Sequence, residues 1–238
     1  MERAAAVPTD LDYPVSGFTP LTGLDWPGNL CATLFVSSCP WDCPFCHNKS
    51  LRSLRDLRPW AELAPDLEQR VGFIEGVVFS GGEPTLYEGL ESAVRFVKSI
   101  GLKAALHTGG ALPEKLERVL ATGLVDWVGM DFKAPLERYD SVTMSKGSAA
   151  AFERSLSILL ASGVDHEIRT TLFAGVANFE VLITMARQLE ERGARKWMLQ
   201  QCREGGLEGG FTMTPPRETI NRWAATITSM TSLEVRGR

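Results

Sequence analysis

FVSSCPWDCPFCHN, residues 35–48, joins the end of an apolar run to three closely spaced cysteines. The run 31–38 is typical of a buried strand, and the loop after it holds Cys39, Cys43 and Cys46 of the 5 cysteines in the chain. Thiols concentrated in one loop as C-x3-C-x2-C indicate a metal or redox site where thiols are kept reduced. The segment therefore predicts a strand that carries a ligand-bearing loop at its carboxyl end.

The rest of the chain repeats a pattern of strand followed by helix. Apolar, β-rich runs predict strands at 31–38, 76–80, 103–108, 127–133, 166–173 and 197–201. Amphipathic patterns between them predict helices at 60–70, 88–99, 113–121, 150–161, 178–192 and 215–229. This alternation indicates repeated βαβ units, so we predict the α/β class with parallel strands.

The 238 residues fit one large domain, which we predict over 21–238 after a polar leader at 1–20. Six βα units form either an open doubly wound sheet or a partial (β/α)6 barrel, and periodicity does not decide between them. Both architectures place ligands at the carboxyl ends of the strands. The unusual segments follow that rule, with SGGEP after the second predicted strand, HTGG after the third and DFK at the end of the fourth.

Composition and charge exclude several classes of partner. The formal net charge is −4, so no overall electrostatic argument favours nucleic acid. No apolar run approaches the roughly 18 residues of a membrane span, and the first ten residues do not resemble a secretory signal. We therefore expect a soluble, cytoplasmic protein with no membrane and no nucleic-acid partner. Just after the cysteine loop a basic residue recurs every third position, at Lys49, Arg52, Arg55 and Arg58. These residues form either a solvated face or a stripe that docks an acidic partner.

The cysteine loop fits two kinds of metal site. Pro40 and Pro44 disfavour a regular helix, so the sulfur atoms are predicted to converge in a loop. Zinc is one candidate, with Cys31 or His47 as a fourth ligand, although structural zinc sites normally draw on two separated pairs of ligands. An iron–sulfur cluster is the other, since three cysteines leave one of four irons without a protein thiolate.

With Phe45 before the last cysteine, and with SGGEP following in the next βα unit, the loop resembles that of the radical S-adenosylmethionine (SAM) superfamily. The resemblance implies a partial (β/α)6 barrel in which Cys39, Cys43 and Cys46 hold three irons of a [4Fe-4S] cluster while SAM chelates the fourth. It further implies reductive cleavage of SAM to a 5′-deoxyadenosyl radical, which abstracts a hydrogen atom from the substrate. Phe45 would offer a wall or backbone edge for adenine.

Other segments gain candidate roles from the same resemblance. Without it, SGGEP could be a plain βα turn, and Asp131 and Lys133 in VGMDFKAP could be a buried structural ion pair. With it, backbone and carboxylate groups of SGGEP would receive the SAM ammonium. Lys133 would neutralise the SAM carboxylate while Asp131 helps to hold a monovalent cation or orients the lysine. The remaining SAM-binding candidates are Gly81, Gly82, Glu83, Thr108, Arg169 and Arg203. The two arginines, judged alone, are typical of the surface.

Several segments resemble activating proteins of anaerobic ribonucleoside-triphosphate reductase, which are relatives of pyruvate formate-lyase activases. They are TGLDWPGNLCATLF, CPFCHN and VDWVGMDFKAPLERY. The resemblance implies a protein substrate, a glycyl radical enzyme, and an electron donor of flavodoxin or ferredoxin type. The sequence departs from these proteins at Asn29, at Ser38, where glycine is usual, and at His107, where relatives carry an aspartate that helps to hold the cation. The alternatives are a small-molecule radical SAM enzyme, such as 7-carboxy-7-deazaguanine synthase, and a non-catalytic metal-binding interaction protein.

Overall fold

The structure is a computed structural model that describes residues 13–46, 48–52, 57–202 and 214–237. Its strands are β1 (Val15–Thr22), β2 (Cys31–Val36), β3 (Gly76–Gly81), β4 (Lys103–Thr108), β5 (Trp127–Asp131), β6 (Asp165–Leu172), β7 (Lys196–Gln201) and β8 (Glu234–Gly237). Its α-helices are α1 (Trp60–Glu68), α2 (Leu90–Ser99), α3 (Pro113–Ala121), α4 (Leu136–Thr143), α5 (Ser148–Ser162), α6 (Phe179–Glu191) and α7 (Arg217–Met230). Short 3-10 helices form at Lys49–Arg52 and Pro84–Leu86.

The chain divides into two compact units. The first consists of Met1–Pro40, Ser50–Thr108 and Glu114–Val128, and the second of Trp41–Lys49, Gly109–Pro113 and Gly129–Arg238. In the first unit β1 pairs with β2 in antiparallel fashion, and β2, β3 and β4 are parallel. In the second unit β6, β7 and β8 are parallel. Within the described residues β1 and β8 each border a single strand, so the sheet is not closed. The predicted α/β class with mainly parallel strands is confirmed.

The first unit is packed tightly around its central strands. All but the last residue of β3 are buried, as expected for a parallel strand covered on both faces. At the start of β3 a Cβ on Gly76 would lie 2.6 Å from the Trp26 ring and 2.7 Å from the Lys103 carbonyl oxygen, so only glycine fits. Trp26 stacks on Trp127 with ring centroids 6.2 Å apart. The tryptophan of DWPG thus belongs to a core cluster with Cys31, Val78, Ala105 and Trp127.

An aromatic stack forms the core of the second unit around α4 and α5. Phe132 stacks on Phe152 with ring centroids 4.8 Å apart, and Tyr139 stacks on Phe152 at 5.1 Å. Tyr139 also donates a hydrogen bond from its hydroxyl group to the Asp131 carbonyl oxygen at 3.1 Å. Because Asp131 ends β5, this stack fixes the position at which β5 leaves the sheet.

The six strands and six helices predicted from the sequence are all present, with ends shifted by a few residues. The structure adds β1, β8 and α4, which the sequence analysis did not predict. The first residues of β1 lie within 1–20, the segment expected to be a leader. Among the described residues no helix has both the length and the apolar character needed to cross a membrane.

Ser38, between β2 and Cys39, has a left-handed backbone with φ of 65°. Its N–H donates to the Leu51 carbonyl oxygen at 2.7 Å, and its own carbonyl oxygen accepts from the Glu83 N–H at 2.9 Å. These two bonds hold a conformation that costs a residue with a Cβ about 1–2 kcal/mol. Glycine, which has no Cβ, would adopt this conformation without that cost.

We therefore expect Ser38→Gly to raise the free energy of unfolding by about 0.5–1 kcal/mol, since the relief of strain exceeds the extra entropy of glycine in the unfolded chain. Ser38→Ala is the matched control, because alanine keeps the Cβ and should bring no such gain. Urea denaturation of the three proteins measures the difference. Equal stabilities of the glycine and alanine variants would contradict the assignment of strain to Ser38.

Candidate active site

The SGGEP segment ends β3 in direct backbone contact with the chain that leads to the first cysteine. Gly81 has φ of 118°, and a Cβ there would lie 2.3 Å from the Val36 backbone nitrogen. A Cβ on Gly82 would lie 1.9 Å from the Ser38 carbonyl oxygen. The Gly82 N–H donates to the Val36 carbonyl oxygen at 2.8 Å. Neither glycine can therefore be replaced without moving the segment before Cys39.

Glu83 is a buried carboxylate with three hydrogen-bond donors on one oxygen. Its side chain is 1% exposed, and Oε1 accepts from the Thr85 N–H at 3.2 Å and the Thr85 hydroxyl at 2.6 Å. The Thr108 hydroxyl, from the end of β4, donates to the same oxygen at 2.8 Å. The structure thus brings together two of the predicted site residues, Glu83 and Thr108. A buried carboxylate held by neutral donors retains a strong attraction for a cationic ligand.

His107 links the DWPG segment to the ends of β3 and β4. Its Nε2 lies 2.7 Å from the Asp25 carbonyl oxygen, an acceptor, so Nε2 carries a proton. Its Nδ1 lies 3.4 Å from the Ser80 hydroxyl oxygen, and its ring meets Trp127 edge to face at 5.8 Å. Thr33 donates to the Asp25 carboxylate at 2.7 Å. The histidine therefore holds the loop before β2 in place through the Asp25 backbone.

Asp131 and Lys133 form an ion pair where β5 ends in the second unit. The Lys133 Nζ lies 3.0 Å from Asp131 Oδ2, with the lysine side chain 16% exposed. The same Nζ lies 5.9 Å from the centroid of the Trp41 ring. Burial alone would lower the pKa of Lys133, but the negative charges of Asp131 and Cys43 and the nearby Tyr139 raise that pKa well above its ordinary value. Lys133 is therefore a permanent cation close to a cysteine of the loop.

Cys43 and Cys46, with the loop around them, pack within the second unit. Cys43 is buried and the Cys46 N–H donates to its carbonyl oxygen at 3.2 Å. Phe45, between them, stacks on Phe173 with ring centroids 3.9 Å apart and planes at 7°. Cys39 belongs to the first unit and is half-buried. Cys39 is thus assigned to one unit, and Cys43 and Cys46 to the other.

The chemistry of the donor set fits an iron–sulfur cluster. Thiolates of cysteine are the usual ligands of such clusters, and Lys133 supplies positive charge beside Cys43. In the described part of the chain, no three His, Cys, Asp or Glu side chains lie close enough to share one metal ion. In a cluster each thiolate binds a different iron atom, so a cluster does not require such a group.

Cys31, a candidate fourth ligand for zinc, lies apart from this chemistry. It is fully buried in the Trp26 core, and its Sγ is 3.5 Å from the Thr22 carbonyl oxygen, to which it donates. Burial and the nearby Asp25 raise its pKa to about 11. Because the thiolate is the metal-binding form of cysteine, Cys31 is held in the non-binding form. His47, the other candidate, lies outside the described residues.

Arg169 is buried, although as a lone arginine it was expected at the surface. Its side chain is 6% exposed, and its Nε donates to Glu167 Oε1 at 2.9 Å. Glu167 and Arg169 are two positions apart on β6, so both side chains lie on one face of the sheet. Sequence reasoning missed Glu167, whose only signal is this spacing. Arg203, the other predicted arginine, lies outside the described residues.

The basic residues after the cysteine loop are described only in part. Lys49 begins a 3-10 helix, and Arg55 lies outside the described residues. Arg58 forms an ion pair with Asp66 at 3.0 Å and lies over the Phe18 ring at 5.5 Å. Arg58 is thus engaged within its own unit, and the two interpretations of the stripe stay open.

Comparison with known proteins shows which family shares this fold and loop. The model of the radical SAM superfamily matches residues 33–187, more than half of the chain. The chain therefore belongs to the radical SAM superfamily. Membership implies an enzyme that uses SAM and a [4Fe-4S] cluster.

Two curated proteins and one solved structure illustrate the similarity. A protein of Methanocaldococcus jannaschii that has been assigned as a glycyl-radical enzyme activating enzyme is 26% identical over 183 residues, 74% of this chain and 75% of that protein. The anaerobic ribonucleoside-triphosphate reductase-activating protein of Salmonella typhi is 31% identical over 88 residues, 35% of this chain and 56% of that protein. SuiB of Streptococcus suis, solved with its precursor peptide SuiA, has a TM-score of 0.67 at 14% identity. The match covers 86% of this chain and 47% of SuiB, and it supports the predicted radical SAM type of fold.

We expect Thr108→Val to lower the free energy of unfolding by about 1.5–3 kcal/mol, because it removes a donor from a buried carboxylate with little change in shape. Thr226→Val is a control, since the Thr226 hydroxyl donates to the Arg222 carbonyl oxygen on an exposed helix surface. That control should stay within about 0.5 kcal/mol of wild type. Urea denaturation measures both. A Thr108→Val protein as stable as its control would show that the Glu83 contact contributes nothing.

Proposed function

We propose that this enzyme activates a glycyl radical enzyme, with anaerobic ribonucleoside-triphosphate reductase as the first candidate. The observation that carries the proposal is the similarity to the M. jannaschii activating enzyme, which extends over three quarters of both chains. The shorter match to the Salmonella protein supports the choice of reductase. A low-potential protein of flavodoxin or ferredoxin type would supply the electron. We place the activity in the cytoplasm and the catalytic domain at 21–238.

The chemistry proposed for the bound cofactors requires no acid or base from the protein. When bound, the cluster and SAM supply a 5′-deoxyadenosyl radical that takes one hydrogen atom from the α-carbon of a glycine in the partner. Cys39, Cys43 and Cys46 would hold the cluster. The chain's task is to bind and orient these groups and to exclude water around them.

In the first unit, the segment around Glu83 would receive the ammonium group of SAM. Glu83 is 1% exposed, and its Oε1 accepts hydrogen bonds from the neutral donors of Thr85 and Thr108. A cationic ligand at this segment would meet a buried carboxylate that can accept a charge-assisted hydrogen bond. Gly81 and Gly82 are proposed backbone contacts of SAM, and their lack of a side chain lets this segment lie against the backbone of Val36 and Ser38. Thr108 acts by orienting the carboxylate.

In the second unit, Lys133 would neutralise the carboxylate of SAM. Its high pKa keeps the charge at every physiological pH, and Asp131 at 3.0 Å orients the ammonium group. Asp131 is 45% exposed as a side chain and is the residue we propose for a monovalent cation. Arg169, held by Glu167, and Arg203 are proposed contacts to the ribose or carboxylate of SAM. Phe45 is the proposed neighbour of adenine.

The activase assignment is tested by electron paramagnetic resonance. The reconstituted, reduced protein is mixed with SAM and a candidate glycyl radical enzyme, and a glycyl doublet is expected. Cys43→Ser should abolish the doublet, whereas Cys202→Ser should retain it, because Cys202 is a buried thiol with a pKa raised by burial. If SAM is reductively cleaved but no glycyl radical enzyme of the same genome gives a doublet, the protein would instead be a radical SAM enzyme with a small-molecule substrate. A colourless protein with one zinc would overturn both.

Lys133→Met should weaken binding of SAM to the reconstituted enzyme by roughly 10- to 100-fold, since hydrogen bonds to charged groups contribute about 1.5–3 kcal/mol. Lys196→Met is the matched control in the same unit, because Lys196 pairs with Asp165 at the surface. Isothermal titration with SAM under anaerobic conditions measures both dissociation constants. Equal affinities of the two variants would remove Lys133 from the proposed site.

A further inference from the structure

Trp41 is buried in the middle of an otherwise exposed part of the cysteine loop. Its neighbours Pro40 and Asp42 are exposed, while Trp41 itself is 5% exposed. A large apolar side chain that turns inward from a short loop is typical of an anchor, because its burial stabilises one loop conformation over the others. Neither the family resemblance nor the proposed cofactor contacts assign a role to Trp41.

The ring of Trp41 is in close contact with other residues of the second unit. A Cβ on Gly109 would lie 2.7 Å from a carbon of the indole ring, so the backbone of the HTGG segment lies directly against it. Tyr139 meets the indole edge to face, with ring centroids 5.7 Å apart. The Lys133 Nζ lies above the ring at 5.9 Å, within the range of a cation–π contact. All of these contacts lie within the second unit.

Two further contacts extend the anchoring to both sides of Cys43. The Asp42 N–H donates to the Thr143 carbonyl oxygen at 2.9 Å, at the end of α4. Phe45, two residues after Cys43, stacks on Phe173 at 3.9 Å. Cys43 is consequently 6% exposed although it lies in a loop.

We propose that Trp41 is a positioning residue that holds Cys43 in place before any iron binds. The inference rests on the proposed cluster ligands, and it deepens that assignment by naming what organises the loop. A loop that is already ordered loses little conformational entropy when the cluster forms, and so retains the cluster longer. Residues that orient metal ligands typically change metal affinity about 10- to 100-fold when removed.

The first test measures thiol protection in the full-length apo-protein, so that it needs neither cluster nor partner. Brief alkylation with iodoacetamide, read by peptide mass spectrometry, gives a rate for each cysteine. Trp41→Ala should raise the rate at Cys43 about tenfold or more, because local opening exposes the thiol. Cys31 and Cys202 are internal controls for global unfolding, and their rates should not change.

A second variant guards against simple loss of folding. Gly109→Ala keeps the tryptophan but places a methyl group in contact with its ring, and it should also raise the labelling of Cys43. Trp60→Ala removes a tryptophan of similar burial, 2% exposed, from the first unit. In the Trp60→Ala protein, the alkylation rate of Cys43 should stay low compared with that of Cys31. Trp41→Phe, which retains an aromatic face, should restore most of the protection.

The second test follows the cluster itself. After anaerobic reconstitution, bleaching at about 400 nm by an iron chelator should be about tenfold faster in Trp41→Ala than in wild type, and unchanged in Trp60→Ala. Unaltered labelling of Cys43 in both Trp41→Ala and Gly109→Ala would overturn the inference. So would equal effects of Trp41→Ala and Trp60→Ala. If only the activase assignment is wrong, the glycyl doublet will be missing, but the alkylation of Cys43 and the bleaching of the cluster will still change as expected.

Discussion

The backbone contact between Gly82 and Ser38 is the constraint on which the first unit depends. Two chain segments meet there with no room for a Cβ, and the left-handed Ser38 supplies the acceptor for the Glu83 N–H. The contact fixes the end of β3 against the chain that leads to Cys39. It also fixes Glu83, because the residue that donates its N–H to Ser38 carries the buried carboxylate. One backbone contact therefore orients both a cysteine-bearing segment and a charged group.

Glu83 in the first unit and Lys133 in the second are charged residues of opposite sign that the proposed function assigns to SAM. Glu83 is a carboxylate held by the hydroxyl and amide donors described above, whereas Lys133 is a cation paired with Asp131. SAM, an amino acid with a sulfonium, carries groups of both signs. The proposed function assigns the ammonium group of SAM to Glu83 and its carboxylate group to Lys133.

Strands and helices could be predicted from the sequence where their buried residues form a continuous run or a regular pattern. Strands such as β3 are apolar throughout because both faces are covered. β1 was missed because it is an antiparallel edge strand with irregular register and partial exposure. The eight residues of α4 give too short a periodic pattern. The stacking of Phe45 on Phe173 and the pairing of Arg169 with Glu167 depend on three-dimensional proximity or orientation, which local patterns do not encode.

The burial of Cys31 and Cys202 has a consequence for how iron is loaded. Burial raises the pKa of both thiols, that of Cys31 to about 11, so each stays protonated at neutral pH. A protonated thiol is a poor nucleophile and a poor ligand. During repair after exposure to oxygen, incoming iron and sulfide would thus meet little competition from these two thiols, and mispaired disulfides with them would form slowly. Burial would thus keep these two thiols out of the cluster chemistry proposed for the loop.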